Sequence, residues 1–182
     1  KNSIGAKGSV SSQGNAVRIM SIHASKGLQF PICILAGLGS KFNDNEAHES
    51  VLYKTDFGIG FKYFDEKTKQ PVTSIAREAI LDKIRAERLE EELRLFYVAM
   101  TRTQDKLVMI GTTSDAYKKA DELKTKLLAS SGNISFDLFN KTKSYLEWLI
   151  ISLLFLKSGK ELRGEGHSLL LSESDVNLSL RI

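Results

Sequence analysis

The chain has 182 residues, 42% of them hydrophobic and 26% charged, a balance that excludes a disordered polypeptide and suits one ordinary domain plus an appendage. A net charge of +4 and a pI of about 9.1 permit a nucleic-acid partner without demanding one. The single cysteine, Cys33, excludes an internal disulfide and fits a reducing cytoplasm, no secretory signal opens the chain, and the longest apolar run, residues 148–156, is far short of the ~20 residues that span a bilayer.

Residues 1–15 are polar and rich in Gly and Ser, a loose lead-in. Residues 17–22 read as a strand, and a short helical piece follows over residues 23–30. Residues 32–36 form a continuous apolar run, the kind buried on both faces of a parallel sheet, with Cys33 expected as a buried, inert thiol. Residues 37–50 are loop-like, and residues 51–64 suit a hairpin around Asp56, Phe57 and Gly58, closed off by Pro71. Between Thr73 and Thr103 there is neither Pro nor Gly. Ile75, Ala79, Ile80, Ile84, Leu89, Leu93, Phe96 and Met100 recur there at helical spacing, which predicts one long helix or two end to end. Arg85, Glu87, Arg88, Glu91 and Glu92 fall on its far side, expected as a solvated, salt-bridged face. Residues 106–111 read as a buried strand and residues 115–129 as a helix. Residues 141–156 read as a second helix, with Tyr145, Trp148, Leu149 and Ser152 or Leu153 as its apolar stripe. Residues 159–166 suggest a flexible break, and residues 176–182 alternate like a strand. The chain starts at Lys1 rather than Met and stops inside that pattern, so both ends read as cut from a longer protein.

This order predicts an α/β domain with a largely parallel sheet, in which ligands are expected at the carboxyl ends of strands, where loops enter helices. Two segments at strand or helix ends are chemically dense. In residues 92–102, Arg102 ends a helix just before a strand, and its planar guanidinium gives forked hydrogen bonds to phosphate oxygens. By itself Arg102 reads as an ordinary surface ion-pair former. In residues 21–30, Ser21, His23, Ser25, Lys26, Gly27 and Gln29 gather hydroxyls, an imidazole, an ammonium and a glycine whose backbone N–H can approach phosphate. His23 also offers a stacking face to single-stranded nucleic acid. Taken singly, His23 reads as a structural histidine and Lys26 as a solvated charge.

Together the two segments resemble motifs V and VI of the superfamily 1 helicases of the UvrD/Rep type. Ser21, His23, Lys26, Gly27, Leu28 and Phe30 match the first, with Gln29 where the family usually has Glu. Glu91, Glu92, Arg94, Tyr97, Val98, Ala99, Thr101 and Arg102 match the second. Residues 36–43, the stretch around Gly58, Ile59 and Gly60, and residues 143–148 also look like the AddA-type helicase–nuclease proteins of bacteria. The likeness covers about residues 16–156.

The resemblance implies a RecA-like, P-loop-NTPase-type second motor domain over residues 16–130, with an excursion at 40–72, and a helical linker and tail at 131–182. It implies that Arg102 acts as an arginine finger on the γ-phosphate. Lys26, Gly27 and Gln29 would line the nucleotide cleft, Ser21, His23 and Ser25 would face DNA, and Arg94, Tyr97 and Thr101 would brace the site, with a packing role for Tyr97 equally open. ATP and Mg2+ would be held mainly by a first RecA-like domain. DNA and an AddB-like subunit would be the partners, with no membrane, in a bacterial cytoplasm. The sequence carries no G-x-x-x-x-G-K-[ST] loop, no Asp-Glu pair at a strand end that offers a magnesium site and no nuclease constellation, so the chain alone is expected to bind no cofactor and to be inactive as ATPase, helicase and nuclease. A non-catalytic helicase-like docking module, mildly favoured by Gln29, and a plain single-stranded nucleic-acid binder are the competing readings.

Overall fold

The structure is a computed structural model and describes residues 16–129, 136–156, 159 and 162. The expected lead-in at 1–15, the strand at 176–182 and nearly all of the break at 159–166 lie outside these residues.

Two small sheets flank one long helix. β1 (Phe30–Leu35) and β5 (Thr103–Met109) pair in parallel, with Cys33 opposite Leu107 and Leu35 opposite Met109. Between them in sequence, β2 (Val51–Lys54), β3 (Gly58–Asp65) and β4 (Gln70–Thr73) form an antiparallel sheet in the order β2-β3-β4. The predicted hairpin is thus present and has a third strand. β4 was hidden because its turn holds no Gly or Asn. Asp65 makes the turn instead, accepting hydrogen bonds from Lys67 N at 3.0 Å and Thr68 Oγ1 at 2.8 Å, and Lys69 takes the left-handed φ of 56°. Pro71 does not close the region. It sits within β4, an edge strand that needs no N–H there.

α1 (Ile75–Met100) is one unbroken helix. Ser74 caps it, its Oγ accepting from Arg77 N, and the absence of Gly and Pro lets it run to Thr101. Its buried side changes along its length. Ile80 and Leu81 pack with Leu52 of the antiparallel sheet, while Leu89 and Phe96 pack with Leu38 and Trp148. Ile75 and Leu93, expected in the apolar stripe, are exposed, and Arg77 and Leu81 are buried in their stead. The far-side charges are not simply solvated. Arg85 and Arg88 clamp Asp44 in the loop before β2, Lys54 of β2 holds Glu87, and Tyr145 donates to Glu92. Only Glu91 stays within the helix, paired with Arg94.

α2 (Ala116–Ala129), the five-residue α3 (Phe136–Asn140) and α4 (Tyr145–Leu154) complete the described chain. α4 starts at Tyr145 rather than at residue 141, because Ser144 caps it. Trp148 is buried as expected, and Tyr145, Leu149 and Leu153 of the expected stripe pack half-buried; Ile150, Ile151 and Leu154, outside that stripe, are buried and meet Ala120, Leu123 and Leu127 of α2.

Two expectations fail for one reason. Residues 17–22 form no strand, and β1 is not buried on both faces: Val17 and Ile19 are 90% and 98% exposed, and Ile32 and Ile34 are both 60% exposed. A strand needs a neighbouring ladder, and a sheet face needs a covering layer. Among the described residues the β1–β5 sheet has two strands and no cover over Ile32 and Ile34. Cys33 is accordingly only partly buried, and free.

Candidate functional site

The parallel register sets Phe30 beside Thr103, so the segments before β1 and before β5 emerge side by side. Both chemically dense segments are these lead-ins. Residues 23–25 form a single 3₁₀ turn, closed by Ser25 Oγ donating to the Ile22 carbonyl at 2.7 Å and by Ser21 Oγ accepting from Ala24 N at 3.2 Å. Ser25 is buried by this, whereas His23 and Lys26 are exposed and have no side-chain partner among the described residues. Gly27 has a φ of +82°, which turns the chain from the 3₁₀ piece toward β1.

Arg102 sits where α1 gives way to β5. Its Nε donates to the Val98 carbonyl at 3.0 Å, Nη1 to the Leu28 carbonyl at 3.1 Å and Nη2 to Thr101 Oγ1 at 3.0 Å. Thr101 Oγ1, with a single O–H to share, lies 3.0 Å from each of the Tyr97 and Val98 carbonyls. The Arg102 carbonyl accepts from Phe30 N at 2.9 Å. Arg102 is therefore bonded to the first segment through both its side chain and its backbone. A guanidinium has five N–H donors, so this bracing leaves donors for an anion.

Gln29 is also in this group: its Oε1 accepts from Gln104 Nε2 at 3.2 Å. Thr103 Oγ1 is buried beside them with no partner among the described residues. Arg94 is held away in its ion pair with Glu91, at 2.7 Å and 2.9 Å, and Tyr97 is 64% exposed rather than packed. Thus Leu28, Gln29, Thr101 and Arg102 converge. Among the described residues, the side chains of His23, Lys26, Arg94 and Tyr97 make no hydrogen bond to that group.

A profile of the UvrD-like helicase C-terminal domain matches residues 3–114, more than half of the chain and both dense segments. The chain belongs to the UvrD-like helicase C-terminal family.

Among curated relatives, the ATP-dependent helicase/nuclease protein AddA of Clostridium acetobutylicum is 41% identical over 149 residues, which are 82% of this chain and 12% of that protein. The same-named protein of Clostridium perfringens is 39% identical over 185 aligned positions, 99% of this chain and 14% of its own length. That of Alkaliphilus metalliredigens is 41% identical over 166, 91% of this chain and 13% of its own length. The chain thus spans about an eighth of the length of these relatives.

Membership in the UvrD-like family does not put the site where the general rule for parallel sheets put it. Both segments of this UvrD-like domain lie at the amino ends of β1 and β5. The strand expected to lead into the first, residues 17–22, has no partner, so no third carboxyl end is present among the described residues. The carboxyl ends of β1 and β5 open instead on a cleft of about 320 Å³ that includes Gly39, Lys41, Ser114, Asp115, Lys119 and Glu147. In it Lys119 Nζ is 2.7 Å from Glu147. Sequence reasoning missed Gln104 and Thr103 as neighbours of Gln29 and Arg102. Neither lies in a recognisable pattern, and only the β1–β5 register reveals them.

Proposed function

We propose that this chain is the RecA-like second motor domain of an ATP-driven DNA helicase, the motor of a bacterial, cytoplasmic helicase–nuclease with an AddB-like partner subunit. In this reading residues 16–130 form the motor domain with its 40–72 excursion, and 131–182 its helical tail. Arg102 offers its remaining N–H groups to the γ-phosphate of ATP held, with Mg2+, mainly by a first RecA-like domain outside these residues. Gln29 hydrogen-bonds the ribose side of the nucleotide, Lys26 and Gly27 line the cleft, and Ser21, His23 and Ser25 face single-stranded DNA. Thr101 positions Arg102 directly, and Arg94 and Tyr97 act at its periphery.

The observation that carries the reading is the double tie between Leu28–Phe30 and Arg102. A DNA-contacting segment and a phosphate-sensing arginine bonded through one carbonyl and one N–H must move together, which is what a translocating motor requires. Phosphoryl transfer is catalysed mostly by positioning and charge stabilisation, and a trans-acting arginine in related systems contributes 10³–10⁵ in turnover.

The test is single-stranded-DNA-dependent ATP hydrolysis by the full-length protein. Arg102→Ala should lower turnover by roughly 10³-fold or more while nucleotide binding persists. Equal turnover in both forms would overturn the assignment and leave a docking module as the better reading. ATP hydrolysis by the 182-residue chain alone, abolished in Arg102→Ala, would refute the expectation that it is inactive by itself.

A further inference from the structure

The antiparallel sheet has two unlike faces. Leu52 and Gly60 point to α1, where Leu52 meets Ile80 and Leu81 in a closed cluster. The opposite face carries Val51 across from Phe61, Tyr53 across from Ile59, and Tyr63 across from Val72. These large apolar side chains are open: Tyr53 is 66% exposed, Ile59 62% and Tyr63 49%. Phe61 and Tyr63 lie with ring centroids 6.0 Å apart.

Aromatic side chains carry roughly 150–250 Å² each. Three of them about half exposed or more, with two β-branched neighbours, put the patch at about 500 Å², the size of a typical monomer's largest apolar patch, which is often functional.

We infer that this face is a docking surface for an uncharged, apolar protein surface contributed by the same polypeptide outside the described residues. Three observations choose that occupant. First, nucleic acid needs cations for its phosphates, and the two lysines within the strands of this sheet are engaged elsewhere: Lys54 holds Glu87 of α1, and Lys62 Nζ donates to the Ala47 carbonyl at 3.1 Å, while Lys67 and Lys69 belong to the β3–β4 turn and not to the strands of the open face. The charged residue of β3 that shares the parity of the open face is Asp65, an acid, at its corner. Second, about 500 Å² per side falls short of the ~800 Å² per partner that a free-standing dimer needs. It does match a contact between domains held on one chain, where tethering raises effective concentration. Third, the chain spans only 12–14% of the length of its curated relatives, so most of a full-length protein lies elsewhere. Tyr and Phe at the centre of the patch, with charge at its edge, is the composition of an interface core.

The inference does not depend on Arg102 or on ATP. Hydroxyl-radical footprinting of the full-length protein, without DNA and without any other polypeptide, tests it directly. Tyr53, Phe61 and Tyr63 should react several-fold more slowly than in the urea-unfolded protein, and equally so across a dilution series. An open face, with these rings half to two-thirds accessible, would react at close to half the unfolded rate, and that result overturns the proposal. So does protection that fades on dilution, which would mean a second copy. Protection that appears only when single-stranded DNA or another polypeptide is added also overturns it. Ile59→Glu, at an exposed site, should restore the reactivity of Tyr53 and Tyr63 while turnover defects of Arg102→Ala remain separate; Tyr53→Gln, read at Phe61 and Tyr63, takes its place if the first variant does not fold.

Discussion

Asp44 shows how single charges shape this chain. Burial pushes its carboxyl up, but hydrogen bonds from Arg88 at 2.8 Å and Arg85 at 3.3 Å outweigh that and hold it below its ordinary value of 3.8. A carboxylate with a depressed folded-state pKa contributes stability that is fully present above the unfolded value. That stability is lost as pH falls through the folded one. Asp44→Asn should therefore melt below wild type at pH 6, and the gap should close as pH drops below about 4. Melting curves from pH 6 to pH 2.5 check this; a gap constant across that range would mean that the clamp does not depend on charge. Tyr145 moves the other way: burial, and then the Glu92 carboxylate it donates to, push its phenol well above the ordinary range, so it stays a neutral donor.

At the scale of elements, β3 comes up tight against the first turn of α1. A Cβ on Gly60 would lie 2.3 Å from Arg77 Cα and 2.5 Å from its backbone N. Arg77 cannot yield, because it is buried and donates to the Ala47 and Glu49 carbonyls at 3.0 Å and 2.6 Å. Gly60→Ala must then push the sheet off the helix and should cost about 1–3 kcal/mol or more, read as a lowered denaturant midpoint. Gly58→Ala is the informative contrast: its φ is +74° but nothing lies within 4 Å, so its cost is local backbone strain and should leave the packing of α1 unchanged. A Gly60→Ala variant as stable as wild type would show that the sheet can lift off α1 without loss.

Across the whole molecule, the two halves of the chain meet at the only tryptophan. Trp148 stacks on Phe139 with centroids 4.9 Å apart, lies against Phe42 and Phe96, and donates Nε1–H to Thr142 Oγ1 at 2.6 Å. Its cluster joins Leu38 after β1, α1 and α4. Tryptophan emission should therefore follow the unfolding of the whole domain, coinciding with loss of helical circular dichroism. Phe96→Ala should remove about 3–5 kcal/mol and shift the emission to the red. Emission that changes well before the helical signal would instead mean that α4 detaches as a separate unit.

The long helix, the hairpin, the parallel pairing class and the family were all legible in the amino-acid order. They follow from local patterns: a stretch without Gly or Pro at helical spacing, turn residues around Gly58, and two dense motifs in order. That Arg102 and Gln29 stand in the two motifs was legible too, since motif position depends only on spacing. The helix at residues 115–129 and the run at residues 32–36 were legible in outline as α2 and β1, and the contacts between elements waited on packing. The register of β1 on β5 brought Gln104 to Gln29, and residues 17–22 failed to become a strand because a ladder needs a neighbour that local pattern cannot supply. The far-side charges of α1 became ties to Asp44, Lys54 and Tyr145, because ion-pair partners distant in sequence are chosen by packing. Alternation in β2 and β3 was written in the chain, yet which of the two faces α1 would cover was settled by Gly60, the one position where a helix backbone could come close enough.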